Sequence, residues 1–177
     1  DFVELTEKEY QKFWENHPQK TFLSAPKIAK LREKSNWKSY FVGVKENKKV
    51  VAAALLLSHK RKFNVNEFYS PRGFLLDYNN KELLTFFVEK VKEFAKSKNG
   101  YILRIDPYVI YKQRDINGDI VEGGEDNTHV VDHLTSLGFK KVKTEKDFLS
   151  LLVLLQKHSN YAQKTIYPGT GHMGAVV

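Results

Sequence analysis

The segment from residue 67 to residue 106 constrains the fold most, because it reads as strand, helix and strand in succession. A short β-rich run at 67–70 precedes the strongest helical pattern in the chain, at about 80–98, where apolar side chains recur every three to four residues. A second strand at 101–106 follows and ends at Pro107. A connection that contains a helix is typical of parallel strands, because antiparallel neighbours can be joined by a short hairpin turn. The segment therefore predicts an α/β unit with a parallel pair.

The rest of the chain supplies elements that can extend this unit on both sides. Thr6 and Glu9 form the capping-box pattern that starts a helix. A continuous apolar run after a turn indicates a buried strand, the second arm of a β-hairpin. The further predicted elements are helices at 5–17, near 26 and at 128–137, strands at 37–46, 50–57 and 139–142, and a strand or short helix at 148–155. This order predicts an α/β (α+β) fold with a mixed sheet flanked by helices.

A corner at residues 69–78 interrupts the strand that precedes the long helix. Pro71 cannot donate to a sheet ladder, and Gly73 allows a sharp bend or a close approach by another group. Arg72 stands between them, and Asp77 follows four residues after Gly73. Two interpretations are open: an internal Arg72–Asp77 ion pair in a structural corner, or a corner where Arg72 binds a phosphate or carboxylate ligand.

Composition narrows the partners and the compartment. The chain of 177 residues carries a formal net charge of +8, from 29 Lys and Arg against 21 Asp and Glu. This balance favours nucleic acid, phosphorylated metabolites or an anionic membrane surface, although solvated lysine-rich faces give the same charge. We interpret the basic cluster at 59–62 as a solvated strand end. With no cysteine, no long apolar run and no signal-peptide pattern, we expect a cytoplasmic protein.

No metal site is expected from the two patterns that superficially suggest one. In the acidic loop at 112–127, Gly118 falls at the wrong offset for a calcium loop and the acids are wrongly spaced. His129 and His133 are four apart on a predicted helix, a spacing suited to two metal ligands. A third ligand is not evident, and the glutamate of a His-Glu-x-x-His motif is missing. We interpret the two histidines as a surface pair.

Three pieces of sequence occur in an order that is specific in combination. They are Arg-Gly-x-x-x-Asp-Tyr at 72–78, a strand ending in Asp106-Pro107-Tyr108, and Leu137-Gly138-Phe139. A helix separates the first two pieces, and an acidic Asn-Gly loop and a helix separate the last two. Over about residues 1–142 this order resembles the FemABX family of peptidyltransferases.

The resemblance implies a fold and a function. Members of the family contain two acetyltransferase-like (GNAT-like) domains, and residues 1–142 look like the first, with 143–177 a divergent, partly irregular segment. Members transfer amino acids from aminoacyl-tRNA, as co-substrate and without a cofactor, to the stem peptide of a peptidoglycan precursor, lipid II or UDP-MurNAc-pentapeptide. This builds the cell-wall cross-bridge and affects antibiotic resistance. Because the second domain supplies much of the precursor site, whether a one-domain fragment is active is left open.

The resemblance also assigns roles residue by residue. Lys30 falls near a lysine that contacts the precursor phosphates, and Arg72 and Gly73 fall on the family's Arg/Lys-Gly corner, which together with Tyr108 predicts a substrate-binding site. Asp106 falls on the acid of the Asp-Pro motif and is the candidate catalytic base, since a carboxylate can accept the proton of an attacking amine. Asp-Pro also commonly starts a turn, which gives Asp106 a structural alternative.

Two other functions remain as alternatives. An acyl-CoA-dependent N-acetyltransferase shares the fold, but the corner has a single glycine where such enzymes use a Gly-rich loop for the pyrophosphate. A non-catalytic basic module that holds tRNA or precursor for a partner chain also fits the charge. The apolar segment at 148–155 is a candidate for self-association, and peripheral membrane contact is a further expectation.

Overall fold

A computed structural model describes residues 1–142 and 150–154. Within these residues, seven strands form one sheet in the order β1-β2-β3-β4-β5-β7-β6. The strands are β1 Phe2–Glu4, β2 Trp37–Glu46, β3 Lys49–Lys60, β4 Asn66–Ser70, β5 Gly100–Ile105, β6 Lys140–Val142 and β7 Ser150–Leu154. The helices are α1 Glu7–Asn16, α2 Pro26–Glu33, α3 Lys81–Ser97 and α4 Thr128–Ser136.

The sheet is mixed, as the sequence predicts. Strands β1 to β4 pair antiparallel with their neighbours, and β2 and β3 form the predicted hairpin. Strands β4 and β5, joined through α3, pair in parallel. Because both parallel strands run in one direction, the residues that follow Ser70 and Ile105 emerge side by side at one edge of the sheet.

Each face of the sheet is covered by a separate pair of helices. Alternate residues of β3 enter two cores, with Ala54 and Leu56 on one face and Leu55 and Leu57 on the other. The first face packs against α3 and α4, whose buried stripes include Leu84, Phe87, Val88, Val91, Val130 and Leu134. The second face packs against α1 and α2 through residues that include Tyr10 and Ala29. Burial on both faces explains the continuous apolar run of β3.

Local sequence sets the helix ends. The Thr6 hydroxyl accepts the N–H of Glu9 while the Glu9 carboxylate accepts the N–H of Thr6, which confirms the predicted capping box. The side chain of Asn80 caps α3 by accepting the N–H of Leu83. Pro26 occupies the first turn of α2, where its missing N–H costs no helical hydrogen bond.

The late strand β7 lies inside the sheet rather than at its edge. It pairs antiparallel with β5 on one side and with β6 on the other. Residues 151–154 pair with β5 and residues 150–152 pair with β6, so both backbone edges of the strand are occupied over 151–152. Self-association through 148–155 stays a prediction, and the domain boundary after 142 also stays a prediction.

Candidate functional site

The corner after β4 interrupts the pairing with β3, which resumes at Leu75 after two extra residues. Tyr69 pairs with Leu57, and the next bridge joins Leu75 to Ala53. The chain therefore advances six residues from Tyr69 to Leu75 while β3 advances four, and the two extra residues form the corner. The N–H of Gly73 donates to the carbonyl of Ser70 at 3.1 Å and closes a turn. Arg72 has a φ of +59°, as the third residue of a type II turn requires.

Gly73 is fixed by both backbone angle and contact. Its φ is +70°, in the region that favours glycine. A Cβ at this position would lie 2.7 Å from the Cα of Pro107 and 2.7 Å from the hydroxyl of Tyr78. The corner after β4 is therefore pressed against the Asp106-Pro107 turn after β5, and only glycine permits that approach.

Asp106 joins the two strand ends. Its Oδ1 accepts the backbone N–H of Arg72 at 2.7 Å, and its Oδ2 accepts the hydroxyl of Tyr69 at 3.1 Å. The Nη1 of Arg72 lies 4.0 Å from the same Oδ2. The Asp77 carboxylate instead accepts the N–H of Asn79. The carboxylate that meets Arg72 thus comes from the neighbouring strand and holds the strained turn in place.

The electrostatics of this group follow from partial burial. Burial raises the pKa of Asp106 above its ordinary value, although the N–H of Arg72, the Tyr69 hydroxyl and the Arg72 charge all favour the carboxylate. Burial, followed by the neighbouring Asp106 charge, raises the pKa of Tyr69, which therefore stays a hydrogen-bond donor at neutral pH.

A cleft of about 650 Å³ opens in front of the two strand ends, and we call it the carboxyl-end cleft. Arg72 and Tyr108 line it, the latter with more than half of its surface exposed. The remaining wall comes from the α1–α2 loop, the corner, the chain after β5 and the loop before α4: His17, Pro18, Gln19, Leu76, Asp77, Tyr78, Asn79, Pro107, Val109, Ile110, Glu125 and Asn127. The C-terminal ends of parallel strands are a common position for ligand sites in α/β sheets.

Comparison with known proteins places this arrangement in a family. The model of the FemAB family matches residues 5–152. The chain belongs to the FemAB family. The aminoacyltransferase FemA of Staphylococcus epidermidis is 34% identical over 167 residues, which are 93% of this chain and 40% of that protein. The chain thus spans about two-fifths of the length of the curated relatives it matches.

Solved structures agree at the level of fold. The crystal structure of FemX has a TM-score of 0.65 at 29% sequence identity and covers 80% of this chain and 32% of FemX. The aminoglycoside 6′-N-acetyltransferase of Enterococcus faecium has a TM-score of 0.55 at 7% identity and covers 90% of this chain and 99% of the enzyme. The FemABX resemblance and the predicted GNAT-like fold are confirmed.

The structure brings four of the five predicted site residues together. Arg72 and Tyr108 face the carboxyl-end cleft, while Gly73 and Asp106 form the layer behind its wall. Lys30 lies on α2, where its exposed ammonium pairs with Glu7 at 2.8 Å, and it does not line this cleft. The roles of these residues toward a ligand stay predictions.

Several cleft residues were missed because they lie far from the corner in sequence. Pro18 indicates only the end of α1, and nothing local shows that His17 and Gln19 turn toward the corner. His17 accepts the N–H of Gln19 at 3.2 Å on Nδ1, and burial lowers its pKa, so the ring is neutral at pH 7. The Oε1 of Gln19 is buried and accepts from no group of the described chain. Glu125 and Asn127 lie in a loop whose position only the tertiary fold sets.

The histidines and the acidic loop whose spacing superficially suggests a metal site form hydrogen bonds with other groups of the protein. His133 bonds Thr85 through Nε2 at 2.9 Å, and His129 bonds Asn79 through Nε2 at 2.7 Å, so the two rings meet different groups. The Asp115 carboxylate accepts the backbone N–H groups of Asn117 and Asp119 in a tight turn. Within residues 1–142 and 150–154, no cluster of three or more His, Asp or Glu could hold a metal ion. In the same residues, no helix is both long enough and apolar enough to cross a bilayer.

Proposed function

We propose that this chain is the precursor-binding part of a cytoplasmic aminoacyltransferase of peptidoglycan cross-bridge synthesis. In the proposed reaction, a neutral amine of the stem peptide attacks the ester carbonyl of aminoacyl-tRNA. An N–C bond forms, the C–O bond to the terminal ribose breaks, and the amine loses a proton as the ribose oxygen gains one. The ester is already activated, so positioning of the amine accounts for much of the catalysis.

The observation that carries the proposal is Arg72 on the wall of the carboxyl-end cleft in a member of the FemAB family. A guanidinium offers a planar fork of donors that matches phosphate or carboxylate oxygens. Its side chain is about one-fifth exposed, which leaves the charge accessible from the cleft but largely removed from water. Arg72 would bind the diphosphate or a carboxylate of the precursor, and the buried Oε1 of Gln19 could accept an N–H of its peptide.

Asp106 serves in this proposal as a positioning residue rather than the base. Both of its carboxylate oxygens already accept hydrogen bonds, and the residue does not line the cleft. Its charge fixes the Arg72 backbone and lies near the guanidinium, which sets the direction of that side chain toward the ligand. Its position argues more strongly against direct action on the amine, because Asp106 lies behind the wall of the cleft and not on it.

Calorimetry of this chain with UDP-MurNAc-pentapeptide tests the binding site. We expect Arg72→Met to weaken binding at least about tenfold, because an ion-assisted hydrogen bond to an anion is lost. Lys90→Met is the matched control, since Lys90 pairs with Glu93 on α3 and lies outside the cleft. Equal affinity of the wild type and Arg72→Met would contradict the proposed site.

Transfer assays separate the two roles of Asp106. In a full-length FemA relative, Asp106→Ala at the matching position should weaken precursor binding and lower transfer together if Asp106 positions Arg72. A general base would instead lose transfer at least about tenfold with unchanged binding. Unchanged turnover of a folded Asp106→Ala variant would contradict both the positioning role and the general-base role.

Titration with acetyl-CoA tests the alternative function, acyl-CoA-dependent N-acetyl transfer. The acetyltransferase likeness, at 7% identity, supports the fold alone, and the corner lacks a Gly-rich loop. We expect no heat of binding on titration with acetyl-CoA. Saturable binding of acetyl-CoA without binding of the precursor would replace the proposed function with N-acetyl transfer.

A further inference from the structure

A second cleft, of about 380 Å³, lies beside the C-terminal end of α3, and we call it the basic cleft. The face of the sheet that α3 covers is apolar as far as Leu56. It turns polar at the cleft, because Ser58 and Lys60 occupy the next alternate positions of β3. About 13 Å of strand separates Asn66, at this cleft, from Ser70, which ends β4 at the corner. The basic cleft is therefore separate from the carboxyl-end cleft.

Three lysines supply the charge of the basic cleft. Lys38 pairs with Ser58, so Lys38 and Lys60 share one face of the sheet, and Lys98 follows the end of α3. Within the described residues, Lys38 and Lys60 take part in no salt bridge, and Glu4 lies 4.0 Å from Lys98. No acidic residue of the described chain lines the cleft. The positive charge here is thus available to an anionic ligand.

The C-terminal end of α3 also borders the cleft, and helix ends of this kind carry partial negative charge. The carbonyls of Ala95 and Lys96 accept the N–H groups of Lys98 and Asn99. The carbonyl of Lys98 accepts a hydrogen bond from Nδ2 of Asn66 at 2.6 Å. These three carbonyls have donors within the protein, which reduces the negative charge that the helix end presents to the cleft.

The rest of the lining indicates the chemical class of the ligand. It consists of amide and hydroxyl side chains: Asn36, Asn64, Asn66, Asn99, Ser58 and Tyr40. In the described chain no Val, Leu, Ile, Met or Phe lines the cleft, so an acyl chain or an apolar peptide side chain would find no matching wall. Amides and hydroxyls suit the hydroxyl groups of a sugar, and ammonium groups bind phosphate as point charges.

A nucleobase has no open ring to stack on in this cleft. Tyr40 is the aromatic residue that lines it among the described residues. The ring of Tyr40 meets Phe94 edge-on at 5.3 Å and Phe68 at 6.2 Å, and the ammonium of Lys98 lies 5.8 Å from its centre. Since binding of single strands depends on base stacking, the lining favours a small ligand without a base.

We propose that the basic cleft binds a small sugar bisphosphate, with Lys38, Lys60 and Lys98 on the phosphate groups and the asparagine amides on the sugar hydroxyls. Two phosphate monoester groups carry about three to four negative charges at neutral pH, which matches three lysines. The diphosphate of the precursor is esterified at both ends and carries less charge. This site does not depend on the function proposed above.

Isothermal titration calorimetry with fructose bisphosphate tests the proposal, with free fructose as the reference ligand. We expect saturable binding of the bisphosphate and no binding of fructose. The combined variant K38Q, K60Q should raise the Kd at least about tenfold, because two charge-assisted contacts are lost. The matched control K8Q, K12Q removes the same charge from exposed positions of α1 and should raise the Kd less than about twofold.

A second pair of variants tests the position of the site with all lysines retained. Asn64 lines the cleft and is exposed with a φ of +58°, so Asn64→Asp places a carboxylate beside the ligand and should raise the Kd at least about fivefold. Asn47→Asp is the matched control. Asn47 is also exposed, with a φ of +47°, but lies in the turn between β2 and β3, outside the cleft.

Five results would overturn the assignment. The first is no heat of binding with fructose bisphosphate. Equal weakening by the two lysine pairs, or by the two asparagine variants, would show attraction by net charge alone. Loss of bisphosphate binding in Arg72→Met would place the ligand in the carboxyl-end cleft. Weaker binding of UDP-MurNAc-pentapeptide by K38Q, K60Q would assign the basic cleft to the precursor. Lysine-dependent binding of phosphatidylglycerol vesicles or of an oligouridylate, tighter than that of the bisphosphate, would assign it to a larger polyanion.

Discussion

At the scale of single residues, Gly73 determines whether the two strand ends can meet. Gly73→Ala combines a left-handed backbone with a Cβ 2.7 Å from the backbone of Pro107. We expect destabilisation by about 2–5 kcal/mol, the sum of the conformational and overpacking costs. Urea denaturation measures it.

Gly118→Ala is the control for that variant. Gly118 has a φ of +88°, but a Cβ there would meet no atom within 4 Å. Only the conformational cost of about 1–2 kcal/mol should remain. Equal losses for the two variants would mean that contact with Pro107 does not restrict the corner.

Glu9 links the start of α1 to β2 and gives the fold an acid-sensitive contact. Its pKa is lowered to about 2, first by the side-chain hydrogen bond from Lys45 and then by the backbone and hydroxyl of Thr6. A lowered pKa in the folded state means that the contribution to stability is present above the ordinary value of 4.5 and is lost as the pH falls toward 2. Glu9→Gln should therefore be destabilising at pH 7 and nearly neutral close to pH 2.

Urea midpoints measured between pH 2 and pH 7 check this expectation. Lys45→Met should remove much of the same pH dependence, because the ammonium of Lys45 lies 2.6 Å from Oε1 of Glu9. A difference between Glu9→Gln and the wild type that is constant with pH would rule out the linkage.

At the scale of elements, α3 contributes its packed stripe to the core. Phe87 is fully buried and meets Phe74 edge-on at 5.1 Å, which ties α3 to the corner. We expect Phe87→Ala to lower the free energy of unfolding by about 3–5 kcal/mol. The neighbouring Phe86 is 42% exposed, so Phe86→Ala should cost less than about 1 kcal/mol in the same denaturation experiment. Similar losses of stability for the two variants would contradict the assignment of Phe87 to the buried face of α3 and Phe86 to its exposed face.

Elements with strong periodicity could be predicted from sequence, and their partners could be predicted only in part. The apolar residues of α3 recur at helical spacing over several turns, and the apolar run of β3 is continuous and bounded by turns, so each pattern predicts its element clearly. The parallel pairing of β4 and β5 follows from the length of the connection. The position of β7 between β5 and β6 does not follow from any local pattern, because strand order depends on which edges remain free once the rest has folded.

The same distinction applies to the candidate site. The corner with Arg72 and Gly73 and the strand end at Asp106 carry local signals, a proline, a glycine and charges at apolar borders. Which carboxylate meets Arg72 is a long-range property: Asp77 is nearer in sequence, but the parallel register brings Asp106 beside Arg72. His17 and Asn127 reach the cleft from loops more than fifty residues away from Arg72, where no periodicity applies.

At the scale of the whole molecule, the sheet separates two surfaces of different chemistry. The carboxyl-end cleft mixes one arginine with apolar, amide and acidic groups, whereas the smaller basic cleft at the N-terminal ends of β4 and β5 is lined by Lys38, Lys60 and Lys98. Strands β4 and β5 run from one cleft to the other, so about 13 Å of sheet separates them. The precursor proposed above would occupy only the carboxyl-end cleft, because Arg72 and Tyr108 line that cleft and no predicted site residue lines the other.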